Sequence, residues 1–386
     1  MGEGISGEGL TRRTVLKAGA VGVASSGWAT LLAACSTSSN GGTTSAASTH
    51  LTPQQYWAKY GQIPQGTFSL GEDVHELDWW KPHASKRWHL GATIPDIVDP
   101  HFVAVAYGIA RAATELGVTI DFRPAASYAD VQGQLTTMND FISKKVDGIV
   151  IGPVSNVGMS PPIQRAWNAG IFVTYVALTA NDQRPPFSGV DLVGSGVQIG
   201  KFYAQQRPND KVAVLGGPGG VLGWKQATDG EMQGLKTSPG IKILGVYNHD
   251  LDITVITDLA RSILTAHPDV QGFVSFADIQ AQGVIAALRT AGYKPGAVQT
   301  TGNPLSRQDL GLMQEGWFTM AQRVRSSQWG RYAVWLLVHM LEGNQVPDNL
   351  YNVTDMVTPA TLAQFENQLE GYDFAPAGWT PPATMK

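Results

Sequence analysis

Cysteine is almost absent from this chain of 386 residues: Cys35 is the only one. A single cysteine excludes a disulfide within the chain and leaves no cysteine cluster for zinc. Stability must therefore come from packing. A strong charge of either sign is also missing. The formal net charge of −4 offers no footprint for a polyanion, so no nucleic acid partner is expected. Long apolar runs are lacking too. The weakly apolar stretch from Ala18 to Ala34 is diluted by Gly, Ser and Thr and is shorter than the roughly 20 residues of a spanning helix. The eight histidines are scattered, with no pair at ligand spacing beside a carboxylate cluster, so neither metal nor cofactor is expected. No Gly-x-Ser-x-Gly elbow occurs. Gly216-Gly217-Pro218-Gly219-Gly220 has neither the Gly-Lys-Ser/Thr ending of a phosphate loop nor dinucleotide spacing. It reads as close backbone approach at the lip of a cleft. An enzyme has little support.

The first 34 residues carry an export pattern. Thr11-Arg12-Arg13-Thr14-Val15-Leu16-Lys17 precedes the weakly apolar stretch, and Leu32-Ala33-Ala34 precedes Cys35. A basic start, an apolar middle and small residues before a cut make a secretory signal. The arginine pair resembles the twin-arginine signal, and Leu32 to Cys35 resembles the lipobox of bacterial lipoproteins. The cysteine is the chemical requirement, because its thiol takes the lipid thioether. Polar Ser36-Thr37-Ser38-Ser39-Asn40 follows at once, which argues against a buried core cysteine. The expectation is export in a folded state and a lipid anchor at Cys35 on the outer face of a membrane.

The segment 35–50 is rich in Ser, Thr and Gly and reads as a flexible tether. The segment 51–86 carries Tyr56, Trp57, Tyr60, Trp79 and Trp80 and reads as an extension held on the body by its aromatics. From Arg87 onward, apolar runs of strand length alternate with amphipathic stretches of helix length. Strands are expected at Trp88–Ile94, Val118–Phe122, Gly148–Ile151 and Ile171–Val176, with helices at Phe102–Leu116, Ala129–Lys145 and Pro162–Ala169. The alternation restarts after Gly194. A helix over Val197–Gln206 opens it, and strands follow at Val212–Leu215, Lys242–Val246, Phe273–Phe276, Val298–Thr301 and Phe318–Ala321. Helices over Lys225–Lys236, Ile253–Ala266 and Ile279–Ala291 lie between them. This order predicts an α/β fold of two doubly wound parallel-sheet lobes. Ligands of such sheets bind outside the carboxyl ends of the strands, so the segments after each strand carry the candidate chemistry.

Several patches resemble the periplasmic sugar-binding proteins of the ribose-binding type, the solute receptors of ABC importers. They are Asp99-Pro100-His101-Phe102 after the first strand, Val146-Asp147-Gly148-Ile149-Val150-Ile151-Gly152-Pro153, Gly194 to Lys201, and Leu264-Thr265-Ala266-His267-Pro268-Asp269-Val270 followed by Phe276-Ala277-Asp278. The resemblance covers most of Trp88 to Pro359. It implies a type I periplasmic binding protein whose three hinge crossovers join lobe one (87–194 plus 323–354) to lobe two (195–322 plus 355–386). The crossovers are expected near Gly194–Gly196, Gln322–Arg325 and Val353–Met356. Tyr128, Gly216-Gly217-Pro218 and Trp224-Lys225 are also similar to the periplasmic trimethylamine N-oxide sensors, which surround a cationic ligand with aromatic rings.

By position, the candidate ligand-binding residues are Asp99, His101, Phe102 and Tyr128 from lobe one and Trp224, Lys225, Asn303 and, at the second crossover, Gln322 from lobe two. The resemblance implies further that Lys225 and Gln322 match family positions that contact sugar. Planar polar groups bind vicinal hydroxyls, and aromatic rings stack on C–H faces. Bland readings stand beside these. Asp99 and Asp278 each suit a helix cap, and Trp224 suits a core. Two family clamps are replaced, one by Ala177-Leu178 and one by Ala277, which favours a small or less polar solute such as a polyol. The implied partners are a sugar or polyol, an ABC permease with its ATPase, and the membrane through the lipid, the chain itself acting as a monomer. The second reading is a sensor that reports its ligand to a membrane histidine kinase.

Overall fold

Four consecutive buried residues, Gly148 to Ile151, form a strand at the centre of a sheet. A parallel strand covered by helices on both faces needs such an unbroken apolar run. The computed structural model describes residues 50–61, 67–69, 77–182, 184–219, 221–365 and 373–386. The export signal, Cys35 and the tether up to residue 49 lie outside the described residues.

The elements in chain order are α1 (Pro53–Tyr60), β1 (Thr67–Ser69), β2 (His89–Thr93), α2 (Pro100–Leu116), β3 (Thr119–Phe122), α3 (Val131–Lys144), β4 (Gly148–Ile151), α4 (Ser160–Asn168), β5 (Phe172–Val176) and β6 (Phe187–Gly189). Then come α5 (Leu192–Gln206), β7 (Lys211–Leu215), α6 (Leu222–Leu235), β8 (Lys242–Tyr247), α7 (Ile253–Ala266), β9 (Gly272–Ser275), α8 (Asp278–Thr290), β10 (Gln299–Gly302), α9 (Arg307–Gln314), β11 (Met320–Arg323), α10 (Ser326–Leu341), β12 (Asn349–Tyr351), β13 (Asp355–Val357) and β14 (Thr384–Met385). Among the described residues, two sheets form. The first has the order β1-β12-β6-β5-β4-β2-β3-β14 and the second β13-β11-β10-β9-β7-β8. Pairing is parallel except where β14 meets β3 and β13 meets β11. This is the doubly wound type I architecture, with helices between the strands.

The chain passes between the sheets after β6, after β11 and after β12. The first crossover is therefore 190–191, ahead of the expected Gly194–Gly196. Both glycines lie inside α5, and Gly196 serves helix packing instead. A Cβ on Gly196 would stand 2.1 Å from the Ala227 carbonyl oxygen of α6, and one on Gly200 would stand 2.2 Å from that of Glu231. The C-terminal block also differs from expectation. Its strand β13 pairs in the second sheet, but β14 pairs with β3 of the first. Residues 355–386 therefore do not all belong with lobe two.

Helix α10 was not anticipated. All its residues are buried, so it shows no polar face from which periodicity could be read. It packs on α2 at backbone distance, since a Cβ on Gly330 would stand 2.0 Å from the Val105 carbonyl oxygen. The segment before β2 is held by aromatics. Tyr56 meets Phe172 edge-on at 5.5 Å, Trp80 stacks on His339 at 4.2 Å, and Tyr56 Oη donates to the Asn344 carbonyl at 3.0 Å.

Candidate functional site

Asp99 and Pro100 open α2 just beyond β2. The Asp99 carboxylate accepts from the His101 backbone N–H at 2.8 Å, and Pro100 occupies the first turn, where no donor is needed. Asp99 thus caps the helix, and it also borders a cavity of about 50 Å³ between the two sheets. His101, Phe102 and Tyr128 line the same cavity from the first lobe, and Trp224 and Asn303 line it from the second. Six of the residues expected from sequence are thus brought together.

Their rings form a continuous chain across the cleft. Trp329 meets His101 at 4.7 Å, His101 meets Phe102 at 4.9 Å, and Phe102 meets Tyr128 at 5.9 Å. Tyr128 then meets Trp224 at 6.2 Å, and Trp224 meets Phe276 at 5.9 Å. The Tyr128–Trp224 pair is the cross-lobe step. Edge-to-face pairs of this kind contribute about 0.5–1.5 kcal/mol each beyond burial.

Two expected residues lie elsewhere. Lys225 follows Trp224 on α6, and one helical step turns it about 100° away. Its side chain is 72% exposed and pairs with Asp229 four residues on. Gln322 is completely buried and sits behind the cavity wall. Its Oε1 accepts from Asn303 Nδ2 at 2.6 Å and from Ser195 Oγ at 2.5 Å, and its Nε2 donates to Gln198 Oε1 at 2.5 Å and Thr354 Oγ1 at 3.3 Å. It therefore ties together α5, the loop after β10 and the crossover after β12. Its role is to join hinge segments and to orient Asn303. Asp278 is the first residue of α8 and not its cap position. Its Oδ1 accepts from the Ile279 N–H at 2.7 Å, while Oδ2 is buried and meets no donor in hydrogen-bond geometry.

Burial dominates the electrostatics. It pushes the Asp99 carboxyl up to about 7, helped by the nearby Asp96 charge. Asp278 is raised well above the carboxylate range by burial, with Asp309 and Asp99 adding repulsion. Burial raises Asp309 to about 6 against the hydrogen bonds from Ser306 and Gln282. His101 is pushed down to about 3 by burial alone, so its imidazole is neutral. Its Nδ1 lies 2.8 Å from Ser326 Oγ at the start of α10. The site thus combines aromatic walls, a carboxyl, a neutral imidazole and an amide around a small enclosed space. It can hold a small solute.

Residues 90–345 match the model of the periplasmic binding protein domain. The chain belongs to this family. Among relatives, it is 25% identical over 258 residues to the D-allose-binding periplasmic protein of Escherichia coli, covering 64% of this chain and 83% of that one. It is 24% identical over 280 residues to the periplasmic protein TorT of the same species, covering 72% and 79%. Among solved structures, a sugar ABC transport system substrate-binding protein from Bordetella parapertussis superposes with a TM-score of 0.70 at 19% identity, covering 77% of this chain and 96% of that one.

Against the family pattern, the cavity also shows walls that sequence reasoning missed. Ala177 and Leu178, read as lost clamps, line it together with Phe276 and Trp329. Ala177 holds φ +63°, a left-handed conformation that is costly for a residue with a Cβ. It lies directly after β5, and Phe276 directly after β9, so the rule that ligands bind beyond strand ends could have flagged both. Trp329 carried no such signal, because it lies on the unanticipated α10.

Proposed function

We propose that this chain is the extracytoplasmic solute-binding component of an ABC importer and takes a small carbohydrate or sugar alcohol into the inter-lobe cavity. The observation that carries this reading is the ring chain bridging the two lobes at the ends of their strands, with Asp99 and Asn303 beside it. A relative named for D-allose binding, matched over 83% of its length, supports the solute class. The protein performs no catalysis. Solute entering the cleft stabilises the closed arrangement, the three crossovers act as the hinge, and the closed form docks on the permease and its ATPase. A lipid on Cys35, added after twin-arginine export, would hold this monomer at the membrane. Sensing is the second reading, favoured by the likeness to TorT over 79% of that protein and by the aromatic cavity. In it, the closed form would report to a membrane histidine kinase.

A thermal-shift screen over pentoses, hexoses, polyols and methylated amines tests the solute class. A solute at 100 times its dissociation constant adds about 2.7 kcal/mol of stability. A screen in which no sugar or polyol raises the melting temperature overturns the carbohydrate reading. Stimulation of ATP hydrolysis by the reconstituted permease complex, when the loaded protein is added, separates import from sensing.

A further inference from the structure

The inter-lobe cavity contains acid without base. Among the described residues, Asp99 lines it and neither lysine nor arginine does; the His101 imidazole there is held neutral by burial. Beyond Tyr128 lies an outer cavity of about 510 Å³ that Tyr128 also borders. Asp96, Asp250 and Asp252 line this mouth, again with no lysine or arginine among the described residues. On the second lobe, Asp278 is buried with Oδ2 lacking a donor. The repulsion that Asp99, Asp278 and Asp309 exert on one another crosses the cleft, since Asp99 belongs to the first lobe and the other two to the second. The nearest candidate counter-ion by sequence, Lys225, is spent on Asp229.

Carboxyls taken out of water without a cation are costly when ionised. Desolvation raises Asp99 to about 7 and Asp309 to about 6, so each ionises less readily than a free carboxyl. A neutral sugar offers these carboxyls hydrogen bonds but no counter-charge. A solute cation gains twice, from a desolvated carboxylate and from the faces of Phe102, Tyr128 and Trp224, whose quadrupoles attract positive charge.

Building on the carbohydrate reading above, we propose that the solute carries a protonated amine on its hydroxylated frame, as an amino sugar or amino-polyol does, with Asp99 as its counter-ion inside the aromatic walls. The acidic mouth concentrates such a cation before it enters. The hydroxyls face Asn303 and the indole-bearing walls.

Matched pairs test this by calorimetric titration of the full chain at neutral pH: D-glucose against D-glucosamine, and D-glucitol against 1-amino-1-deoxy-D-glucitol. The amine member of a pair should bind roughly thirtyfold tighter, the equivalent of a desolvated cation–ring contact of about 2 kcal/mol. Asp99→Asn keeps the helix cap, because asparagine caps as well as aspartate. It should bring the ratio within a pair close to one. A neutral member that binds as tightly as its amine overturns this inference and leaves the carbohydrate reading standing. A ratio unchanged in Asp99→Asn overturns Asp99 as the counter-ion. Binding of tetramethylammonium with no binding of either pair supports the cation and overturns the carbohydrate frame, so the two failures are told apart.

Discussion

Trp224→Ala is the substitution that separates a binding wall from ordinary core. The Trp224 side chain is buried and packs within the same apolar cluster as Phe102 and Tyr175. Its ring lies flat on Gly217, where an added Cβ would stand 2.2 Å from the indole. Its centroid is 6.2 Å from Tyr128 of the other lobe and 5.9 Å from Phe276 of its own. Truncating a buried Trp to Ala costs about 3–5 kcal/mol, of which the cross-lobe ring pair accounts for about 0.5–1.5. In this closed packing both Phe102→Ala and Trp224→Ala should melt lower even without solute. Solute affinity should fall by at least about 2 kcal/mol, roughly thirtyfold. Trp224→Phe, which keeps a ring against Tyr128, should recover most of both losses. Calorimetric titration beside thermal melts reads the two effects separately. Trp224→Ala with a lowered melting temperature and wild-type affinity would refute the reasoning, because the ring would then be core and nothing more.

Lys225→Ala should leave affinity unchanged and shift stability by no more than about 0.5 kcal/mol, because its side chain lies in solvent; calorimetry and a denaturant melt check both. Asp373→Ala removes the two-bond partner of Arg323, which is fully buried and bonded to Asp373 at 2.5 and 3.2 Å, and leaves it Asp355 alone at 3.2 Å. The loss should stay below the roughly 3–5 kcal/mol of a wholly unpaired buried charge, measured by urea unfolding. For Asp99 the pH dependence has a definite sign. Its folded value of about 7 lies above the ordinary 3.8, so its contribution is fully present below about pH 4 and is lost as pH rises towards 7. Stability of the wild type relative to Asp99→Asn should therefore fall across that window, and a difference that stays flat or rises would count against the buried carboxyl. Cys35→Ala should release the folded body from the membrane; a variant that still pellets with membranes after a high-salt wash contradicts the lipid anchor.

Much of the fold was legible because its helices and strands follow local rules. The strand Gly148–Ile151 and the helix Ile253–Ala266 were read to the residue. The first is an unbroken apolar run and the second an amphipathic stretch capped by Asp252. The start of α5 was read five residues late, at Val197 instead of Leu192, because Gly194-Ser195-Gly196 looks like a linker. Gly196 is there so that α5 and α6 can touch, a tertiary reason that local sequence does not express. Strand β11 was placed two residues early because Gln322 and Arg323 are polar, yet both are buried by partners distant in sequence. The site followed the same division. Asp99, His101 and Phe102 sit beyond a clear strand, and the structure brings them together at the cavity. Lys225 and Gln322 were read from position and resemblance, and the helical turn and the hinge network place them outside the cavity. Phe276 was overlooked because its strand was read one residue too far, to Phe276 instead of Ser275, and Trp329 because it lies on the unanticipated α10.

The central claim is that a small hydroxylated solute occupies the space between Phe102, Tyr128 and Trp224 and holds the lobes closed. A crystal structure with the strongest solute from the thermal-shift screen tests it most directly. The solute should lie in this inter-lobe cavity, within hydrogen-bond distance of Asp99 or Asn303 and against at least one of the three rings. Density for the solute at any other site, with this cavity unchanged, would contradict the account.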